Sequence, residues 1–248
     1  VLVLGDSQLT FGAGVAFVDL LTGMAGTCGL GQRATTGVIG VRSTSLRSWS
    51  GRSKAAKRAI CDADPKWRVN AAAYGTLSQG KNPFVQIGRG AQFQFCTPER
   101  SALGAVFHDG YYKPALVVMF LMGNAAERWA ASPEAALEDG RDFTDDLPRG
   151  RPCILMTSAP PYREKEVRLR QEAQDNIQSA FDQLGRCSFV PGLTPDTIAL
   201  NMRNPANFRR KASGKVKHTL HPTEAAARRF LHLRREALCA AISTQLAR

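Results

Sequence analysis

Five short apolar runs recur along the chain, at Val1–Leu4, Thr36–Val41, Ala115–Met122, Cys153–Thr157 and Ser188–Val190. Runs of this length, apolar on both faces, predict strands of a buried parallel sheet. Parallel neighbours cannot be joined by tight turns, so each needs a crossover. The intervening segments supply helices. Leu9 to Met24 reads as a helix despite Gly12 and Gly14, and Leu46 to Ile60 as a second. Ser132-Pro133-Glu134 opens another, with serine as N-cap and proline in the first turn. Glu164–Leu184 is amphipathic, and Thr223–Leu246 predicts one long, basic final helix. Alternation of this kind predicts an α/β fold with helices on both faces of the sheet.

The pattern lapses between Cys61 and Cys96, where glycines, Pro65 and Pro83 interrupt only short apolar pieces. A structureless loop of that length is unusual inside a compact domain. We read about 61–100 as a β-rich insertion in a single domain covering 1–248. A chain of 248 residues, 44% hydrophobic and 22% charged, can bury a core without metals or crosslinks.

The formal net charge is +12. Such a surface favours an anionic partner, or serves only solubility and weak association. Asn207 to Lys217 concentrates cations and leads to His221; it either draws an anionic polymer to a site or is a solvated loop. No base-reading motif accompanies the charge, so specific nucleic-acid binding ranks last. No stretch approaches the length of a membrane span. Val1 opens directly into a strand without Met or leader. The sequence therefore reads as lacking its natural N-terminus, and with it an export signal.

In open α/β sheets, ligands bind beyond the carboxyl ends of the strands. Gly5-Asp6-Ser7 and Gly123-Asn124 both fall at that edge. Ser7, in Gly5-Asp6-Ser7, follows the first strand and precedes a helix, so its hydroxyl and N–H face the edge where negative charge is stabilised. The alternative role is a helix N-cap. Asn124, after Met122-Gly123, offers a side-chain amide to an oxyanion or serves as a turn residue. His221, before Pro222, stands at the expected first turn of the final helix. There it either takes a proton from Ser7 or caps the helix. His108 and His232 lack a partner motif and read as surface or packing residues.

Gly5-Asp6-Ser7-Gln8-Leu9, Gly123-Asn124 and His221-Pro222, in this order, resemble the blocks of the SGNH, or GDSL-like, serine hydrolases. The resemblance implies a three-layer α/β/α fold similar to flavodoxin, with a parallel five-stranded sheet. It implies ester hydrolysis through an acyl-enzyme, without metal or organic cofactor. By position, Ser7 is the nucleophile, His221 the general base and Asn124 an oxyanion donor. Two positions depart from the family. His218 occupies the place of the usual Asp, three residues before the histidine, which leaves the third triad member unknown. For the second oxyanion N–H, Ser43 is preferred to Gly75, because it follows the second strand and precedes a helix.

Six cysteines in no Cys-x-x-Cys arrangement exclude a common zinc motif and fit either disulfides in an oxidising compartment or buried thiols. A flavodoxin-like order would pair Cys153 with Cys187 at the starts of neighbouring strands. It would place Cys28 against Cys239 on one face, while Cys61–Cys96 would close the insertion. The expected function is an esterase acting on O-acyl or O-acetyl groups of a cell-envelope or extracellular glycan, or on another small ester, in a periplasmic or secreted setting. The alternatives are a catalytically weakened domain that binds glycan and an acyltransferase using the same residues.

Overall fold

The structure, a computed structural model, describes residues 1–24, 27–32, 34, 36–42, 44–50, 84–87, 101–107 and 113–248. Five parallel strands form the sheet: β1 (Leu2–Gly5), β2 (Gly37–Val41), β4 (Val117–Phe120), β5 (Cys153–Met156) and β6 (Ser188–Val190). β3 (Phe84–Ile87) joins antiparallel to β2, so the order is β3-β2-β1-β4-β5-β6. The parallel part has the flavodoxin-like order. The extra edge strand comes from the segment read as an insertion, whose other residues lie outside those described.

The strands alternate two cores, as the two-residue period requires. Leu2, Leu4, Val117, Met119 and Leu155 face one layer, with α2 (Leu46–Ser50), α3 (Ala102–Val106), α4 (Ala126–Ala131), α5 (Pro133–Asp146) and α6 (Glu164–Leu184). Val3, Val118, Phe120, Ile154 and Met156 face the other, with α1 (Gly14–Gly23), α8 (Glu224–Leu233) and α9 (Arg235–Leu246). A short helix, α7 (Pro195–Asn201), follows β6. Phe120 packs edge-on against Phe17 at 4.9 Å and near Phe230 at 6.2 Å. Burying each ring contributes about 2–3 kcal/mol. This aromatic cluster locks the two flanking helices onto the strand beside β1.

Ser132 caps α5 as expected, accepting from the Ala135 N–H with Pro133 in the first turn. The final helix is a correction. It is two helices, α8 and α9, broken at Arg234 (φ −96°, ψ 2°). Its N-cap is Thr223, whose hydroxyl accepts from the Ala226 N–H. His221 and Pro222 therefore precede the helix instead of opening it.

Cys28–Cys239 and Cys153–Cys187 form disulfides, with Cα–Cα distances of 4.8 and 4.7 Å. The first joins the segment after α1 to α9, and the second joins the starts of β5 and β6. Two disulfides fit an oxidising compartment. The expected Cys61–Cys96 pair lies outside the described residues. No described helix is long and apolar enough to cross a membrane.

Candidate active site

β1 ends at the switch point of the sheet, where β2 and β4 leave it on opposite sides. Such a point opens a crevice beyond the strand ends. Gly5 closes β1 there. A Cβ on it would stand 1.9 Å from the Phe120 carbonyl oxygen, so a side chain would push β1 and β4 apart. Asp6, buried, turns the chain next. Its Oδ1 accepts from the Gln8 N–H at 2.8 Å and its Oδ2 from the Met122 N–H at 3.4 Å. One carboxyl thus ties the turn bearing Ser7 to the loop after β4. Burial pushes the Asp6 carboxyl above its ordinary value, opposed by the Gln8 N–H and the Arg170 charge.

The helix after Ser7 is widened into a π turn over Leu9–Ala13 and broken at Gly12, φ 141°. L side chains rarely adopt that conformation. A Cβ on Gly12 would also meet Glu224 Cα at 2.8 Å. Glu224 is the first residue of α8, three after His221. Gly12 therefore admits the backbone of α8 against the helix that follows Ser7, which brings the distant end of the chain to Ser7.

The result is one short contact. His221 Nε2 lies 2.8 Å from Ser7 Oγ, across 214 residues of sequence. The loop carrying His221 is pinned on every side. The Tyr162 N–H donates to the Thr219 carbonyl at 2.8 Å, and Gln8 Nε2 donates to the Leu220 carbonyl at 2.9 Å. Pro222 bridges to Phe208, and the Thr223 N–H donates to the Asn207 carbonyl at 2.8 Å. The Phe11 ring covers the imidazole, centroids 4.2 Å apart.

Burial lowers His221 to about 4, helped by the His218, Arg170, Arg42 and Arg209 charges. The imidazole is then neutral over the whole neutral range, the form a proton acceptor needs. It is also a weak base. Among the described residues nothing hydrogen-bonds its Nδ1. His218 stands beside it, ring centroids 6.0 Å apart, and supplies no negative charge.

Asn124 stands at the same edge, exposed. One of its amide hydrogens goes to the Thr44 carbonyl, Nδ2 to O 2.8 Å, which leaves the other available. Ser7, His221 and Asn124 line a cavity of about 200 Å³ with Phe11, Arg42 and Arg170. Ser43 and Gly75 both lie outside the described residues, as does His108. His232 is exposed on α8, beside the Cys28–Cys239 disulfide. Among the described residues no three His, Cys, Asp or Glu side chains stand close enough to hold a metal ion.

Residue-level reading missed Asp6, Gln8, Phe11, Arg42 and Arg170 as parts of the site. Gln8 accepts from the Ala159 N–H and donates to both the Ala159 and Leu220 carbonyls, each at 2.9–3.0 Å. It staples the His221 loop to the chain beyond β5. Arg170 carried a legible signal. It falls on the buried stripe of α6 with Val167, Ala173, Gln174 and Ile177. An arginine there is out of place unless a function or a counter-charge holds it. Its guanidinium packs on Gly123, where a Cβ would come within 2.7 Å of Nη2.

No protein-family model, no curated protein and no solved structure matches this chain significantly.

Proposed function

We propose that the protein is a serine ester hydrolase of the SGNH, or GDSL-like, type. The observation that carries this reading is the 2.8 Å contact between Ser7 Oγ and His221 Nε2 in a cavity at the sheet's switch point. Ser7 Oγ attacks the ester carbonyl carbon while His221 Nε2 takes the hydroxyl proton. The tetrahedral oxyanion is met by the free Asn124 amide hydrogen and by the Ser7 N–H, which no described residue takes up. A third donor, the Ser43 N–H, belongs to the expected pattern. The intermediate collapses as the C–O bond to the alcohol breaks and His221 returns its proton to the leaving oxygen. Water then attacks the acyl carbon and gives its proton to His221; the bond from that carbon to Ser7 Oγ breaks, His221 returns the proton to Oγ and the acid leaves, and a sugar hydroxyl entering instead of water would make the same site a transferase. Acyl groups of cell-envelope or extracellular glycans are the substrate class, supported by the two disulfides and the basic surface.

A second reading is a weakened site that chiefly binds glycan. That no described residue accepts from His221 Nδ1 favours it, because loss of the triad acid can cost about ten-thousand-fold in turnover in a well-studied protease. A fluorophosphonate probe separates the two. Ser7-dependent labelling, with aryl-acetate turnover lost at least a thousandfold in Ser7→Ala, supports the hydrolase. An unlabelled wild type without such turnover rejects it.

A further inference from the structure

Between Asp196 and Glu224 the chain has no acidic residue and six cations, Arg203, Arg209, Arg210, Lys211, Lys215 and Lys217. The centre of this stretch is a built hairpin. The Lys217 N–H donates to the Arg209 carbonyl at 2.6 Å, the Lys211 N–H donates to the Lys215 carbonyl at 2.8 Å, and Arg210 bridges Val216 between them. Gly214, φ 78°, closes the turn. This register sets Arg209 opposite Lys217 and Lys211 opposite Lys215. The two-residue period then turns these four toward one face, with Arg210 and Val216 on the other. All four are exposed, and none forms an ion pair among the described residues.

Like charges directly opposite each other weaken a hairpin. Folding gives no reason for two such pairs on one face, and a face kept for solubility mixes its signs. An anion laid across the four cations does give a reason. The base of the hairpin is fixed beside the reacting pair. Phe208, buried, bridges Pro222, and the Asn207 carbonyl accepts from the Thr223 N–H. The Arg209 guanidinium lies 5.8 Å from the centroid of Phe11, which lines the cavity and covers His221. The cationic face therefore starts at the cavity and runs from there to the turn at 212–214.

We infer that this hairpin face docks an anionic polysaccharide, one with carboxylates repeated along its chain, and so holds the acylated polymer across the mouth of the Ser7 site. This rests on the esterase reading and names the class of polymer it acts on. Cations two residues apart on each arm stand about 7 Å from one another, a spacing for repeated charges and not for a single one. A nucleic acid would call for exposed rings to stack its bases. The one aromatic residue of the hairpin, Phe208, is buried, and nucleic acid carries no acyl ester. A lipid surface would call for large apolar side chains at the tip, where Ala212, Ser213 and Gly214 stand.

Binding to the intact protein is measured with polygalacturonate and with its fully methyl-esterified form, which keeps the sugar chain and loses the charge. Only the first is expected to bind, more weakly as salt is raised. Lys211→Gln/Lys215→Gln/Lys217→Gln should raise its Kd by about tenfold, and Lys211→Gln/Lys215→Gln should act in the same direction. Arg141→Gln/Arg149→Gln/Arg235→Gln removes equal charge from exposed positions elsewhere and should change Kd by less than about twofold. Melting curves check that each variant is folded. On O-acetylated polygalacturonate the hairpin variant should raise KM by about tenfold and hold kcat. Equal binding of the two polymers overturns the inference, as does equal weakening in the two triple variants or an unmoved KM. Tighter, equally hairpin-dependent binding of single-stranded DNA or of phosphatidylglycerol vesicles overturns it too. All of these leave the esterase intact. If Ser7 is neither labelled nor needed for turnover, the esterase reading fails instead. The binding comparisons need no turnover and still decide whether this face docks the polymer.

Discussion

Ser7 and His221 are the two ends of one hydrogen bond, yet they are built in opposite ways. Ser7 is placed locally. The strand, Gly5, the Asp6 turn and the following helix are all within a few residues, and the Asp6 carboxyl closes the turn on the Gln8 N–H at 2.8 Å. His221 is placed from far away. It sits in a loop before a helix cap, and its neighbours Thr219 and Leu220 are held by Tyr162 and Gln8. A locally made turn survives the loss of one contact better than a loop whose position is the sum of long-range ones. Ser7 is therefore the rigid partner, and His221 is the one that perturbation should move.

The largest effect that breaks this asymmetry is expected from Gly12→Val. The added side chain collides with the Glu224 backbone and must adopt a positive φ, so α8 and His221 are driven back from Ser7. We expect a stability loss of about 2–4 kcal/mol and a fall in kcat of at least a hundredfold. Thermal melts and steady-state kinetics check both, and wild-type values would show that α8 is not seated by this glycine.

Gln8→Ala comes next. It strands the Ala159 N–H and frees the Leu220 carbonyl without touching Ser7 Oγ. The expected cost is about 1–3 kcal/mol of stability and roughly a tenfold loss of kcat with fluorophosphonate labelling retained. Equal loss in Ser7 labelling and in turnover would place the damage in the turn that carries Ser7, contrary to the comparison.

The third test acts on His221 alone. With His221 lowered to about 4, the acidic limb of kcat/KM is expected near pH 4 and activity level above about pH 5. His218→Asp puts a negative charge where positive repulsion now stands. It should move that limb upward by one unit or more and raise kcat. An unmoved limb would mean that residue 218 does not reach the imidazole. Stability carries the same group with a definite sign. His221 takes its proton more readily unfolded, at its ordinary value near 6.5, than folded, at about 4. The unfolded chain therefore binds more protons between these values, and stability falls as pH drops from about 6.5 toward 4.

The smallest effect on activity is expected from Cys153→Ala/Cys187→Ala. That disulfide closes a 34-residue separation at the amino ends of β5 and β6, away from the strand ends that carry the site. Loop-closure entropy suggests a loss of about 4 kcal/mol in stability, with kcat unchanged well below the melting point. A parallel loss of kcat would show that the two ends of the sheet are mechanically linked.

Much of the frame was legible because it is written in local periodicity. Glu164–Leu184 and Ser188–Val190 have their expected bounds, since an amphipathic stripe and a short apolar run need no partner to be recognised. The two described disulfides are the pairs that a flavodoxin-like order implies, one at neighbouring strands and one between helices on one face. The break at Arg234 was not legible, because the residues on both sides favour helix and only packing against two different neighbours separates α8 from α9. β3 was hidden for a related reason: an edge strand is defined by what it pairs with, here β2.

Sequence alone determined the α/β alternation and placed Ser7 and Asn124 at one sheet edge, while the two described disulfide pairs came from the flavodoxin-like order that the family resemblance implies. The alternation and the edge positions depend on residue type and spacing. Tertiary structure decided the rest. It brought His221 Nε2 to 2.8 Å from Ser7 Oγ, made Gln8 and Gly12 the supports of that contact, and gathered Arg42, Arg170 and Arg209 around it. Hydrogen bonds and fields act across space at a few ångströms, and residues hundreds of positions apart acquire such distances only when the sheet closes.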